Sequence, residues 1–379
     1  MAEEPRDPVE ESADPGVDLY DVATWEERTS FDGLAVGVYK LLVSGTRLIV
    51  VLTALLILVG IGALGVLADP RLRILTALSV LPALALAGYI WYSDVAESEP
   101  LSTLVATFLL GVLMANFAAV INGLMQPLFG TLGAIGLVLF FYLIVGPIEE
   151  TVKLLAVRFH AYRTGTFDSV LDGAVYGAVA GLGFAAIENG IYIARQVDGE
   201  SGETAEMLAE LAAVAPMASI APLAPMEVTT QVGLDLLGLG GGIAVVRALA
   251  GPGHVIYSAF AGYYLGLAKF NPEHRGPIVV KGLLIATLIH GTYNSFVGIG
   301  TALIGLALGI SGLVPYVIFV ILFDGLFGYL LYRKIKRYRD AYHAAHDEEE
   351  VVSEGLVVGR SREREPKDRR RDRERERQN

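Results

Sequence analysis

From Leu101 to Ile148 the chain runs for 48 residues without an aspartate, glutamate, lysine or arginine. About 20 apolar residues cross a bilayer as a helix, so this stretch alone holds nearly two crossings and a turn. A backbone in lipid must satisfy its own hydrogen bonds, which leaves helices or closed barrels. Barrel strands alternate apolar and polar residues, and this run does not. The chain is therefore expected to be an all-α integral membrane protein held in a lipid bilayer.

The rest of the sequence extends that reading. Only 18% of the 379 residues are charged, against about 25% in a typical soluble chain. Residues 1–33 carry eleven acids and two arginines, and residues 360–379 carry ten bases and six acids. This suggests three parts: an acidic N-terminal tail at 1–45, a transmembrane bundle at 46–332 and a charged tail at 333–379. Both tails have the composition of disordered segments. Apolar runs between charged or Pro/Gly breaks predict a polytopic bundle of about eight spans, near 46–68, 73–92, 102–125, 132–157, 170–194, 251–268, 278–299 and 303–332. The segment 228–246 contains Gly238, Gly240, Gly241 and Gly242 and reads equally as a re-entrant or a crossing segment. Arg333, Lys334, Lys336, Arg337 and Arg339 follow the last span, which points to a cytoplasmic C-terminus in the cell membrane. The start is polar and acidic, unlike a signal peptide, so the first span would serve as its own insertion signal. No cysteine is present, which removes thiolate chemistry and disulfides. A net charge of −12 speaks against nucleic-acid binding.

An ionisable side chain inside a membrane helix costs several kcal/mol, so it signals function by default. Four predicted spans carry such groups: Glu149, Glu150 and Lys153 in one, Glu188 with Asn189 in the next, His254 near the start of a later span, and His290 with Tyr293 and Asn294 in the seventh. Residues four apart share a helix face, which pairs Glu149 with Lys153, Phe184 with Glu188, and His290 with Asn294. Glu149 and Glu150 lie about 100° apart on their helix. One of them is therefore expected to face the chemistry while the other is held by Lys153. Two carboxylates and two histidines from separate helices match the donors of a Zn²⁺ site. A divalent metal lowers the pKa of bound water to about 7, and a glutamate can then take its proton to hydrolyse an amide. Asn294 or Tyr293 could donate to the oxyanion. The expected assignment is Glu149, Glu150 and Asn294 as catalytic residues and Glu188, His254 and His290 as metal ligands. Gly173, Gly177 and Gly181 form a small-residue stripe ahead of Glu188 and predict close helix packing there.

Over about residues 100–300 these motifs resemble the PrsW family of intramembrane metalloproteases. The matching set is Glu149-Glu150-x-x-Lys153, Asp172-Gly173 leading to Phe184-x-x-x-Glu188-Asn189, Arg247 ahead of His254, and His290-x-x-Tyr293-Asn294. The motifs are also similar to the CAAX-prenyl endopeptidase and bacteriocin-processing superfamily. That superfamily's second motif ends in histidine, where this chain has Glu188. The resemblance implies proteolysis of a membrane-bound protein substrate, typically an anti-sigma-like regulator, with Glu149, Glu150, Glu188, His254 and His290 at the site. Hydrolysis by glutamate and histidine without metal is the variant within this reading. A proton-coupled transporter is the alternative function, since Glu/His chains also serve pumps. That alternative predicts an internal repeat, and none is evident between 46–157 and 170–332. A membrane scaffold recruiting partners through its tails is a third.

Overall fold

The computed structural model describes residues 18, 26–60, 66, 68–94, 99–197 and 241–363. Among them no strand occurs. The helices are α1 (Ser30–Gly60), α2 (Pro70–Tyr92), α3 (Leu101–Gly130), α4 (Gly133–Phe140), α5 (Gly146–Phe159), α6 (Val170–Val197), α7 (Gly241–Lys269), α8 (Arg275–Leu308) and α9 (Val314–Glu363). A π-helical turn, Phe141–Val145, joins α4 to α5. The chain divides into two units, Met1–Ile57 and Leu58–Asn379.

In the first unit α1 begins inside the acidic segment expected to be a tail. The Thr29 amide and hydroxyl both donate to the Asp32 carboxylate at 2.7 Å, and the Asp32 amide donates back to Thr29 Oγ1 at 3.1 Å. This reciprocal capping satisfies amides that a helix start leaves without partners. The first expected span, 46–68, lies partly outside the described residues, as do the tail segments 1–17 and 364–379.

Among the described residues of the second unit seven helices are long and apolar enough to cross a membrane, with α4, the π turn and α5 forming one of them. They correspond to the second through eighth expected spans, with three shifts of boundary. The helix carrying His254 is already formed at Gly241, ahead of the expected 251, so it takes in Arg247; residues 228–240 of the ambiguous segment lie outside the described residues. α8 continues to Leu308, and the break falls after it because Gly309 and Gly312 adopt φ of 64° and 81°. That left-handed geometry suits glycine and closes a helix. α9 runs unbroken from Val314 to Glu363, into the charged segment read as a tail, with a Lys336–Asp340 pair at 2.7 Å one turn apart on its surface.

α6 is enclosed on nearly all sides, while α2, α3, α8 and α9 keep apolar faces such as Leu84, Leu109, Leu288 and Leu322 outward. Lipid can solvate those faces. The glycine stripe explains the close seat of α6 on α7. A methyl group at Gly173, Gly177 or Gly181 would fall under 3 Å from the carbonyl oxygens of Gly262, Ser258 and His254 respectively. The backbones therefore touch where His254 leaves α7. Gly177→Ala is expected to destabilise the folded protein by about 1–3 kcal/mol through overpacking. A thermal melt in detergent checks this against Gly123→Ala, where nothing lies within 4 Å; equal melting temperatures would refute the packing role.

Candidate active site: a buried carboxylate and imidazole cluster

The two glutamates of the first motif sit in the first turn and a half of α5, directly after the π turn. Pro147 lacks an amide proton, and the preceding Gly146 amide bonds to Phe141 O, five residues back. Gly146 also has no side chain to hold α8 away: a methyl there would lie 3.0 Å from Thr287 O. α5 and α8 thus approach just where Glu149 and His290 project.

Glu150 and Lys153 are fully enclosed, and Glu149, His254 and His290 nearly so. Glu150 Oε1 accepts from Lys153 Nζ at 2.7 Å and from His290 Nδ1 at 2.8 Å, and its Oε2 lies 3.5 Å from Ser258 Oγ. A carboxylate only accepts, so His290 donates through Nδ1, and its other ring nitrogen, Nε2, lies 3.8 Å from Glu149 Oε2. Glu149 Oε1 accepts from Asn122 Nδ2 at 3.1 Å. Glu149 Oε2 has no hydrogen-bond partner among the described residues and lies 3.6 Å from Lys153 Nζ.

His254 is oriented the same way by a different acid. Its Nε2 donates to Glu188 Oε2 at 2.9 Å, and its Nδ1 accepts from Lys153 Nζ at 3.0 Å. Glu188 is in turn paired with the Arg247 guanidinium. Arg247 Nε donates to Asn189 Oδ1 at 2.9 Å, and Asn189 Nδ2 donates to Ser79 Oγ at 3.1 Å. Aromatic packing completes the pocket: the two imidazole rings meet edge to face at 5.4 Å, and Tyr257 stacks on His290 at 5.1 Å. Phe184 lies 5.4 Å from His254 and receives the Lys153 ammonium on its face at 4.1 Å.

The sequence-predicted residues Glu149, Glu150, Lys153, Glu188, His254 and His290 thus meet in one place. Glu150 is the member of the acid pair most tightly held by Lys153. Asn294 lies one turn beyond His290, half-buried, with no hydrogen bond to the cluster. Tyr293 turns elsewhere, its hydroxyl 3.2 Å from that of Tyr316. Asn122, Ser258 and Tyr257 were not singled out from the sequence. Asn122 had a faint signal as an amide in an apolar run, but Asn116 in the same run bonds only to carbonyls of its own helix. Sequence alone has no means of choosing between them.

The donors suit a divalent metal. Glu149, His254 and His290 each offer one ligand atom, all within 4.8 Å of one another. Glu149 Oε2 is buried without a donor, and each histidine has a carboxylate behind its other nitrogen, an arrangement common to metal-binding imidazoles. Glu188 stands behind His254 in this arrangement, on the side of Arg247.

Residues 99–326 match the family model described as PrsW family intramembrane metalloprotease. Protease PrsW of Halalkalibacterium halodurans is 28% identical over 224 residues, covering 59% of this chain and 82% of the relative. Protease PrsW of Geobacillus kaustophilus is 28% identical over 225 residues, covering 58% and 78%. That of Bacillus subtilis is 26% identical over 217 residues, covering 57% and 78%. No solved structure gives a significant match.

Proposed function

Since the chain belongs to the PrsW family of intramembrane metalloproteases and is a multi-pass membrane protease, we propose that it hydrolyses a peptide bond of a membrane-bound protein with Glu149, His254 and His290 as its reacting centre. The observation that carries this reading is the buried Glu149 Oε2, which accepts no hydrogen bond among the described residues and lies 3.8 Å from His290 Nε2. A polar atom left this way inside a span is costly unless it has work to do on water or a cation.

Glu149, His254 and His290 would hold the divalent metal, zinc being the ion that this mixed oxygen and nitrogen set suits. Bound there, such an ion would supply Lewis-acid chemistry, polarising a carbonyl and acidifying a water near neutral pH. The protein's own residues arrange the rest. Glu150 fixes the tautomer and tilt of His290, and Glu188 does so for His254. Lys153 neutralises Glu150 and currently engages His254 Nδ1, so metal binding requires its ammonium to give up that nitrogen. Glu149 Oε2 is the oxygen able to share the metal or to take the proton of water. Asn294, one turn beyond His290 on α8, would donate to the oxyanion once substrate enters. The cluster lies within the spans, so the scissile bond belongs to a segment that reaches the bilayer, as in the anti-sigma-like substrates that the family resemblance implies. The basic run after Leu331 supports a cytoplasmic C-terminus.

Metal analysis of the detergent-purified protein tests the metal assignment. About one zinc per chain is expected in wild type, and clear loss in the His254→Ala/His290→Ala double variant. Equal, sub-stoichiometric metal in both would assign the hydrolysis to glutamate and histidine alone.

A further inference from the structure

The inward stripe of α9 is apolar at Val320, Leu331 and Ile335, and between them it carries Asp324. Asp324 is only 8% exposed, neither carboxylate oxygen has a hydrogen-bond partner, and no base pairs with it among the described residues. An acid left so inside a membrane span is costly and signals function by default. The proteolytic cluster makes no direct use of it.

Helix register shows what Asp324 faces. α9 runs beside α7 in the same direction. Tyr316 Oη donates to Val246 O at 3.1 Å, a methyl group at Gly328 would lie 3.6 Å from Ile256 Cδ1, and the Lys334 ammonium covers the Tyr263 ring at 4.6 Å. These pairs are offset by 70, 72 and 71 positions, which sets Asp324 level with Gly253 and His254. Gly328 lies four residues after Asp324 on the same helix face, so Asp324 also points toward α7. The Tyr257 hydroxyl lies at that level, since a methyl group at Gly253 would fall 2.6 Å from it. Tyr257 is fully buried, and its hydroxyl has no hydrogen-bond partner among the described residues. Asp324 is the strongest charge acting on it, ahead of Glu150. The ring of this tyrosine stacks on His290 at 5.1 Å and lies 6.3 Å from His254.

Resting on the proteolytic role given to His290, we propose that Asp324 is a positioning residue: it accepts the Tyr257 hydroxyl through one bridging water and so holds the tyrosine ring against His290. A buried water needs at least two polar partners, and these oxygens face one another beyond direct hydrogen-bond reach. Glu150 fixes His290 from its Nδ1 edge. Tyr257 fixes it from the ring face, so α9 acts on the site through the tyrosine.

Steady-state cleavage of a single-span membrane protein by the full-length chain in detergent tests this, alongside a thermal melt of each variant. Asp324→Leu is expected to lower kcat about 10- to 100-fold, with KM within about twofold of wild type. It should melt no lower than wild type, because an apolar side chain replaces a buried unpaired carboxylate. Asp324→Asn keeps an acceptor and should recover most of kcat. Tyr257→Phe keeps the stacked ring and loses the hydroxyl. Combined with Asp324→Leu it should cost no more than the worse single change, since both break one link. Wild-type kcat in Asp324→Leu, additive losses, or kcat and melting temperature falling together would overturn the role. If Glu149→Gln cleaves as wild type does, the proteolytic reading fails instead. The melts then decide the Asp324–Tyr257 link, non-additive shifts upholding it and additive shifts overturning it.

Discussion

Glu149→Gln is expected to lower cleavage of a co-expressed single-span membrane protein by about two to four orders of magnitude, with wild-type insertion and accumulation. The change keeps the shape of the side chain and the hydrogen bond available to Asn122 Nδ2 at Oε1. It removes the charge from Oε2, the oxygen that lies 3.8 Å from His290 Nε2 without a donor of its own. His290→Ala should give a loss of similar size, because a reacting pair does not act additively. Glu188→Gln should cost less, since Glu188 touches the reaction only through His254. Full activity in both Glu149→Gln and His290→Ala would remove these residues from the chemistry, whatever the family.

Lys153→Met should show the largest effect on stability. Its ammonium and the Glu150 carboxylate meet at 2.7 Å with both side chains wholly buried. Breaking such a pair from one side leaves a desolvated charge and costs about 3–5 kcal/mol. The double variant Lys153→Met/Glu150→Gln should recover part of that loss, because no unpaired charge remains. Denaturant unfolding in detergent micelles measures both. A single variant within about 0.5 kcal/mol of wild type would mean that water, or another base, already serves Glu150. The same lysine also faces Glu149 and His254, so the stability experiment and the activity experiment probe one connected network from its two ends.

Much of this network is legible in the chain before any folding is considered. The span positions follow from apolar length, because lipid permits no other solution for the backbone. The face shared by Glu149 and Lys153 follows from helical periodicity and holds in the structure as an approach of 3.6 Å. The stripe Gly173, Gly177, Gly181 announces a close helix contact and delivers one, against α7. Boundaries fared worse where glycine was involved. The run 228–246 left open whether it crosses, and its described part, from Gly241, is helical and continuous with the helix that carries Arg247 and His254. The break between the last two spans waits for Gly309 because only there does the backbone turn left-handed.

What the sequence by itself determined is a membrane bundle with acids and imidazoles at fixed steps along four of its helices. It could not determine the partners across helices, since those depend on how each helix is rotated and how deep it sits. His254 and Lys153 are 101 positions apart, and His290 and Glu150 are 140 apart; no periodicity connects them. Only the packed bundle decided that Glu150 backs His290, that Glu188 backs His254 with Arg247 behind it, and that Glu149 is left facing both rings. The physical reason is that helix periodicity fixes angles around one axis, whereas a reacting centre is set by distances between axes, which close packing alone supplies.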